Sequence, residues 1–232
     1  MRDFAVLIPA YRPKWSLPQY VNDLLINEIA HVIIIDDGND SDYEALFQQL
    51  AEFERCTVLT HSKNQGKGAG LKTGFRYFLK KFSELSGIVT ADADGQHLIQ
   101  DVLNVGECLV NRKGVFVLGT RNFDRKKVPT RSFIGNTFTS RVVRLLFGMY
   151  IQDTQTGLRG IATKELPWLI KLPGDHFNYE MTMLIQLIKQ KKRIIRVDIK
   201  AVYEEEHFST FDTYGDTVRI IKHVAREVLV RT

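Results

Sequence analysis

Residues 31–38, His31-Val32-Ile33-Ile34-Ile35-Asp36-Asp37-Gly38, run apolar after the histidine and then close on two carboxylates and a glycine. A run this short, rich in β-branched residues and ended by turn formers, reads as a strand buried on both faces of a parallel sheet. Upstream, Phe4 to Ile8 has the same form. Between the two, Val21, Leu24, Leu25 and Ile29 recur at helical spacing behind Ser16 and Pro18, residues that start helices. That is one β-α-β unit.

The alternation continues down the chain. The pattern predicts a helix near Tyr43 to Phe53, a strand at Thr57 to Thr60, a helix near Gly68 to Phe82 and a strand at Gly87 to Ala91. A helix around Val102 to Val110 and a strand at Val115 to Gly119 follow. Such a sequence folds as an α/β domain built on an open, mostly parallel sheet flanked by helices, whose ligands sit outside the carboxyl ends of the strands. The polar residues at those ends are where chemistry is expected.

Composition agrees. The chain has 232 residues, 44% hydrophobic and 25% charged, enough for one large core and too apolar for disorder. No apolar run approaches the roughly 20 residues that span a bilayer, and Met1-Arg2-Asp3 does not open a signal peptide. Cys56 and Cys108 lack metal-ligand spacing and read as buried thiols of a reducing compartment. The net charge is +5, but from Arg112 to Arg144 nine basic residues face one acid, Asp124. That stretch carries +8 and favours an anionic partner: a nucleotide diphosphate, a nucleic acid or an acidic membrane face. No nucleic-acid-reading motif accompanies it, and clustered carboxylates at the strand ends would repel a phosphate backbone, so no nucleic acid partner is expected.

Three strand ends carry the candidate chemistry. The first is Ile8-Pro9-Ala10-Tyr11-Arg12-Pro13. The second is Asp36-Asp37-Gly38-Asn39, where a carboxylate can accept hydrogen bonds from a base imide or a ribose hydroxyl, and where a helix cap plus a turn is the plainer alternative. The third is Val89-Thr90-Ala91-Asp92-Ala93-Asp94-Gly95-Gln96-His97. In an extended segment, residues two apart share one side, so Asp92, Asp94 and Gln96 can converge on one hard cation. So few protein oxygens suit Mg²⁺ or Mn²⁺ that also holds substrate phosphates; a solvated acidic turn is the alternative. Between the second and third, Asn64-Gln65-Gly66-Lys67-Gly68-Ala69-Gly70 opens a helix but has neither the Walker spacing nor the dinucleotide spacing. Lys67 and the amides there can meet an anion, or the glycines can simply permit tight packing.

These strand ends resemble a family 2, GT-A-fold glycosyltransferase, with Asp92-Ala93-Asp94 as its D-x-D motif. Gly119-Thr120-Arg121, Arg131, Asp153-Thr154-Gln155-Thr156-Gly157-Leu158-Arg159-Gly160 and Asn178-Tyr179-Glu180-Met181 resemble its polyprenyl-phosphate branch, the group of dolichyl-phosphate mannose synthase and undecaprenyl-phosphate glucose synthases. The resemblance implies an inverting transferase with a nucleotide-sugar donor, a divalent metal and a polyprenyl phosphate acceptor, peripheral at the cytoplasmic membrane face and serving cell-surface glycan assembly. UDP-glucose or UDP-N-acetylglucosamine is expected over GDP-mannose. It implies donor contacts from Pro9, Tyr11, Asp36, Asp37, Lys67 and Asp92, metal ligation by Asp92, Asp94 and Gln96, and catalytic roles for Asp94, Arg121, Arg131 and Asp153. Arg131, Arg141 and Glu180 are expected at the acceptor.

A guanidinium fork matches phosphate oxygens, which makes Arg121 and Arg131 candidates to neutralise a departing diphosphate. Asp153 can orient them or cap a helix. The stretch Phe133, Ile134, Phe138, Val142, Leu145, Leu146, Met149, beside Arg131, Arg141 and Arg144, has the spacing of a basic amphipathic helix, suited to the lipid headgroup region or to a core with a wet face. Residues 1–210 are expected to form the catalytic domain, and 211–232 a C-terminal amphipathic helix for membrane contact or oligomerisation. A small membrane-protein partner is a further expectation. The alternatives within function are a family 2 transferase that acts on polysaccharide or protein-linked sugar and, distantly, a nucleic-acid-binding protein.

Overall fold

The computed structural model describes residues 1–112, 114–121, 140, 141, 144, 145, 148 and 150–200. Seven strands form one sheet: β1 (Phe4–Ala10), β2 (His31–Asp36), β3 (Cys56–Thr60), β4 (Gly87–Thr90), β5 (Phe116–Arg121), β6 (Arg159–Ala162) and β7 (Ile194–Ile199). The helices are α1 (Leu17–Ile26), α2 (Glu44–Ala51), α3 (Lys67–Lys81), α4 (Ile99–Asn111), α5 (Leu166–Leu169) and α6 (Asn178–Lys189). Among the described residues no helix is long and apolar enough to cross a membrane.

The strand order is β3-β2-β1-β4-β6-β5-β7. Every pair is parallel except those of β6, which runs antiparallel between β4 and β5. The sheet is therefore mostly parallel, as the alternation predicts. The apolar runs explain why both faces are covered. Along β1, Phe4, Val6 and Ile8 join a core under α1, α2 and α4, while Ala5 and Leu7 join a second core under α3 and α6. In β2, Val32 and Ile34 take the first face, and Ile33 and Ile35 the second. Period-two alternation of side chains thus lets one continuous apolar strand serve two cores.

Two features of the topology place the site. The chain leaves β1 toward β2 and later returns on its other side as β4, so a crevice opens between the carboxyl ends of β1 and β4. Because β6 is antiparallel, it begins where β4 ends: Arg159 pairs with Thr90. The segment leading into β6 is thereby delivered to the crevice. The thiols are unpaired, Cys56 buried and Cys108 only half-buried, a departure from the expectation for the second.

Candidate active site

The carboxylates Asp92 and Asp94 sit where expected, past the end of β4, but not by strand alternation. The strand ends at Thr90, residues 93–94 form a turn, and Gly95 takes a φ of +74°. An extended register therefore does not aim Asp92, Asp94 and Gln96 at one point. A turn holds Asp94 instead, with the backbone N–H of Gln96 donating to Asp94 Oδ1 at 3.0 Å. Burial and the neighbouring Asp92 charge raise the pKa of Asp94. Burial opposes charge on Asp92 too, but the Lys67 ammonium and His97 hold its carboxyl well below the usual range.

Both oxygens of Asp92 are engaged. Lys67 Nζ donates to Oδ1 at 2.7 Å, and His97 Nε2 lies 3.1 Å from Oδ2. Lys67 also pairs with Glu180 Oε2 at 2.9 Å. Although burial favours the neutral amine, Asp92 and Glu180 keep Lys67 charged. Behind them lies the buried Arg159, whose Nη1 donates to the Glu180 carbonyl at 2.8 Å and whose Nε donates to that of Thr156 at 2.9 Å. Glu180, expected at the acceptor, is thus buried at the floor of the crevice.

The glycine-rich segment is a packing surface rather than an open anion cradle. A side chain at Gly66 would meet His176 Nδ1 at 2.2 Å, and the Ala69 amide donates to the Asp175 carbonyl at 2.9 Å. Residues 175–179 therefore cover the start of α3, and of this segment it is Lys67 that reaches the carboxylates.

Asp37 is equally committed to structure. Its carboxylate accepts from the amides of Gln65 at 3.0 Å and Gly66 at 2.8 Å, and meets His61 Nδ1 at 2.7 Å. The His61 ring continues to Thr73 Oγ1 at 3.0 Å. This buried clamp fixes the loop that ends at Lys67. Asp37→Ala is expected to destabilise the fold by about 3 kcal/mol, because two amides lose their acceptor inside the protein. Urea denaturation measures it, and a loss below about 1 kcal/mol would show the clamp to be dispensable.

Asp36 Oδ1 accepts from the Asn39 amide and side chain at 3.0 and 2.6 Å, and Asp36 lines an open pocket of about 490 Å³ with Asp40, Glu44, Phe47, Val58 and Thr60. Pro9 lies in β1 opposite Ile35, and the exposed Tyr11 carries the Arg12 guanidinium over its ring. On the other flank, Arg121 ends β5 and Asp153 is fully buried beside it. Two parallel bonds join them, Nε to Oδ2 at 2.7 Å and Nη2 to Oδ1 at 3.0 Å. The carboxylate thereby fixes the plane of the guanidinium. Arg141 is exposed. Arg131, most of the amphipathic stretch around it and the expected C-terminal helix lie outside the described residues.

The carboxyl edge of the α/β sheet thus carries two hard carboxylates and a charged lysine past β4 and, at the end of β5, a clamped arginine. Residues 5–162 match the family described as glycosyl transferase family 2. The chain belongs to that family. This family 2 glycosyltransferase is 30% identical to the UDP-N-acetylglucosamine–dolichyl-phosphate N-acetylglucosaminyltransferase of Methanococcus voltae, over 86% of each chain. It is 26% identical to the polyprenol monophosphomannose synthase of Mycolicibacterium smegmatis, over 66% of this chain and 59% of that one. In fold it is similar to glucosyl-3-phosphoglycerate synthase from Mycobacterium tuberculosis, solved with Mn²⁺, UDP and phosphoglyceric acid, with a TM-score of 0.72 and 15% identity over 98% of this chain and 78% of that one. The family 2 enzyme therefore has the GT-A sheet that its strand ends suggest.

Three residues of the site have no role assigned from the sequence: His97 against Asp92, His61 against Asp37 and Arg159 behind Glu180. His97 closes the Asp92-Ala93-Asp94-Gly95-Gln96-His97 run and Arg159 lies in the Asp153–Gly160 segment, whereas His61 carries no signal.

Proposed function

We propose that this enzyme transfers one sugar from a nucleotide-sugar donor to a polyprenyl phosphate at the inner face of the cell membrane, with inversion at the anomeric carbon. One observation carries the acceptor assignment. The named relatives differ in sugar, N-acetylglucosamine in one and mannose in another, yet both names specify a polyprenol or dolichyl phosphate. The first of them also names a UDP donor, which supports UDP-N-acetylglucosamine or UDP-glucose here.

The residues support a single displacement. A phosphate monoester, with a second pKa near about 6, is already an anionic nucleophile at neutral pH, so no general base is required. Its oxygen bonds to the anomeric carbon as the bond from that carbon to the donor β-phosphate breaks, and the electron pair leaves with the nucleoside diphosphate. What the protein must supply is neutralisation of that leaving charge. Arg121, its plane set by Asp153, and Lys67 supply two fixed cations, and Arg131 is a further candidate from the basic stretch.

Asp92 and Asp94 fit a divalent ion. They are two hard oxygen donors held close by a turn, ionisation of Asp94 is disfavoured by its neighbour, and Asp94 Oδ2 has no hydrogen-bond partner among the described residues. Gln96 is a third candidate ligand. When bound, Mg²⁺ or Mn²⁺ would offset charge on the donor diphosphate. Tyr11 and Asp36, at the ends of β1 and β2, are assigned to the nucleoside, and Arg141 to the acceptor phosphate. Leu145, 85% exposed beside the exposed Arg141 and Arg144, supports a peripheral membrane contact from the basic stretch.

The decisive assay incubates the protein and Mn²⁺ with radiolabelled UDP-N-acetylglucosamine, UDP-glucose or GDP-mannose and a polyprenyl phosphate in detergent. Label is expected in the organic extract with one of the UDP sugars. Label that passes instead to oligosaccharide or protein acceptors would replace this reading with that of a polymer-directed transferase.

A further inference from the structure

Lys67 occupies an unusual position for a residue whose business is a phosphate. Its ammonium bridges Asp92 Oδ1 at 2.7 Å and Glu180 Oε2 at 2.9 Å, its side chain is only 15% exposed, and the Phe177 ring lies 5.8 Å away. In this state it neutralises a carboxylate that the proposed reaction assigns to a divalent ion. The two cations share one anionic partner, so each weakens the other's hold on it.

Glu180 has capacity to spare. Among the described residues its Oε1 is buried without a hydrogen bond, 3.7 Å from Arg159 Nε, and Arg159 Nη2 is likewise buried and unpartnered. The glutamate is fixed from behind by its own backbone bond to Arg159 and by its place in the first turn of α6. It can therefore retain Lys67 when Asp92 is given up, so that the ammonium stays in the crevice instead of moving into solvent. There it faces whatever anion arrives with the ion.

We infer that Lys67, docked on Glu180, is the positioning residue that makes metal binding conditional on the nucleotide. Against a bare divalent ion it competes for Asp92. Once a nucleoside diphosphate accompanies the ion, the negative phosphates give Lys67 a new partner and the sign of its effect reverses. This inference rests on the proposed donor site, and it turns Glu180 from an acceptor contact into the lysine's anchor. A lysine that served only to hold α3 against α6 would have no such reversal of sign.

The test is Mn²⁺ binding to the full chain, read by the electron paramagnetic resonance of free Mn²⁺, with and without UDP. Lys67→Met removes the charge at similar volume. Because it leaves two carboxylates short of a partner, it is paired with Lys67→Met/Glu180→Gln, which deletes one charge of each sign and keeps the shape of the site. In both, Mn²⁺ alone is expected to bind about tenfold more tightly than in the unaltered protein, and the enhancement by UDP is expected to fall about tenfold or more. Mn²⁺ affinity that is equal or weaker in the folded double variant, or a UDP enhancement that survives intact, overturns the inference. If the unaltered, folded protein takes up no Mn²⁺ even with UDP, the donor-site reading fails and this one with it. Binding that the variants leave unchanged removes only the role of Lys67.

Discussion

Replacing Gly157 with alanine is expected to lower kcat/KM by about 10²-fold or more while the sheet stays folded. A Cβ built at this position lies 2.3 Å from Asp92 Oδ2 and 2.4 Å from Oδ1, closer than side-chain carbons approach anything. One of the two must move. The glycine cannot, because its carbonyl accepts from Thr90 Oγ1 at 2.7 Å and the strand it leads into is paired on both sides, Gly160 against Val89 and against Val117. The carboxylate therefore swings away, and it leaves Lys67 and His97 behind. A displacement of about 1 Å at a reacting centre costs about 10²-fold. The measurement is kcat/KM in the transfer assay together with circular dichroism. A folded Gly157→Ala protein within about fivefold of normal activity would show that Asp92 has no need of its present place.

The same glycine illustrates what the sequence discloses and what it hides. Strands β1, β2 and β4 are legible because a strand covered on both faces needs an unbroken apolar run, and Phe4 to Ile8, His31 to Ile35 and Gly87 to Thr90 provide it. β6 has no such signal. Four residues long, it begins with a buried arginine and a glycine, and its place is set by pairing partners distant in the chain. β7 is an edge strand with Arg196 and Asp198 exposed among its apolar residues, and α6 buries nine of its twelve residues and so lacks a polar face to mark its period. It is the pairing of β6 with β4 that brings the Gly157 segment beside Asp92.

The candidate site divides in the same way. Asp92 and Asp94 stand out because two carboxylates two residues apart after an apolar strand suit one hard cation, although a turn at 93–94 and not strand alternation sets their geometry. Asp37 stands out equally, yet its oxygens hold the 61–66 loop. Sequence shows that a carboxylate is present at a strand end; only the fold shows which groups reach it. Lys67 and Glu180, 113 positions apart, become partners because α3 and α6 pack on one face.

Asp153→Asn is expected to reduce kcat by about 10² to 10³-fold and to cost about 3 kcal/mol of stability. Asp153 is wholly buried and Arg121 about one-fifth exposed, so the pair is shielded on one side and open to solvent on the other. Asparagine keeps the volume but replaces one acceptor with an amide whose hydrogens face those of the guanidinium. Arg121 then retains its charge and loses its fixed plane. A comparison with Arg121→Lys separates charge from geometry. Lysine preserves the charge but cannot bridge both oxygens of Asp153 or present a planar fork to a diphosphate. If the fork matters, the two variants lose similar activity, and the loss falls on kcat more than on KM because the leaving charge develops only in the transition state. Should Arg121→Lys work at near-normal rate while Asp153→Asn is merely less stable, the pair would be a structural tie and the leaving diphosphate would need another counter-charge. The basic stretch from Arg112 to Arg144 is where that charge would be sought, with Arg131 first.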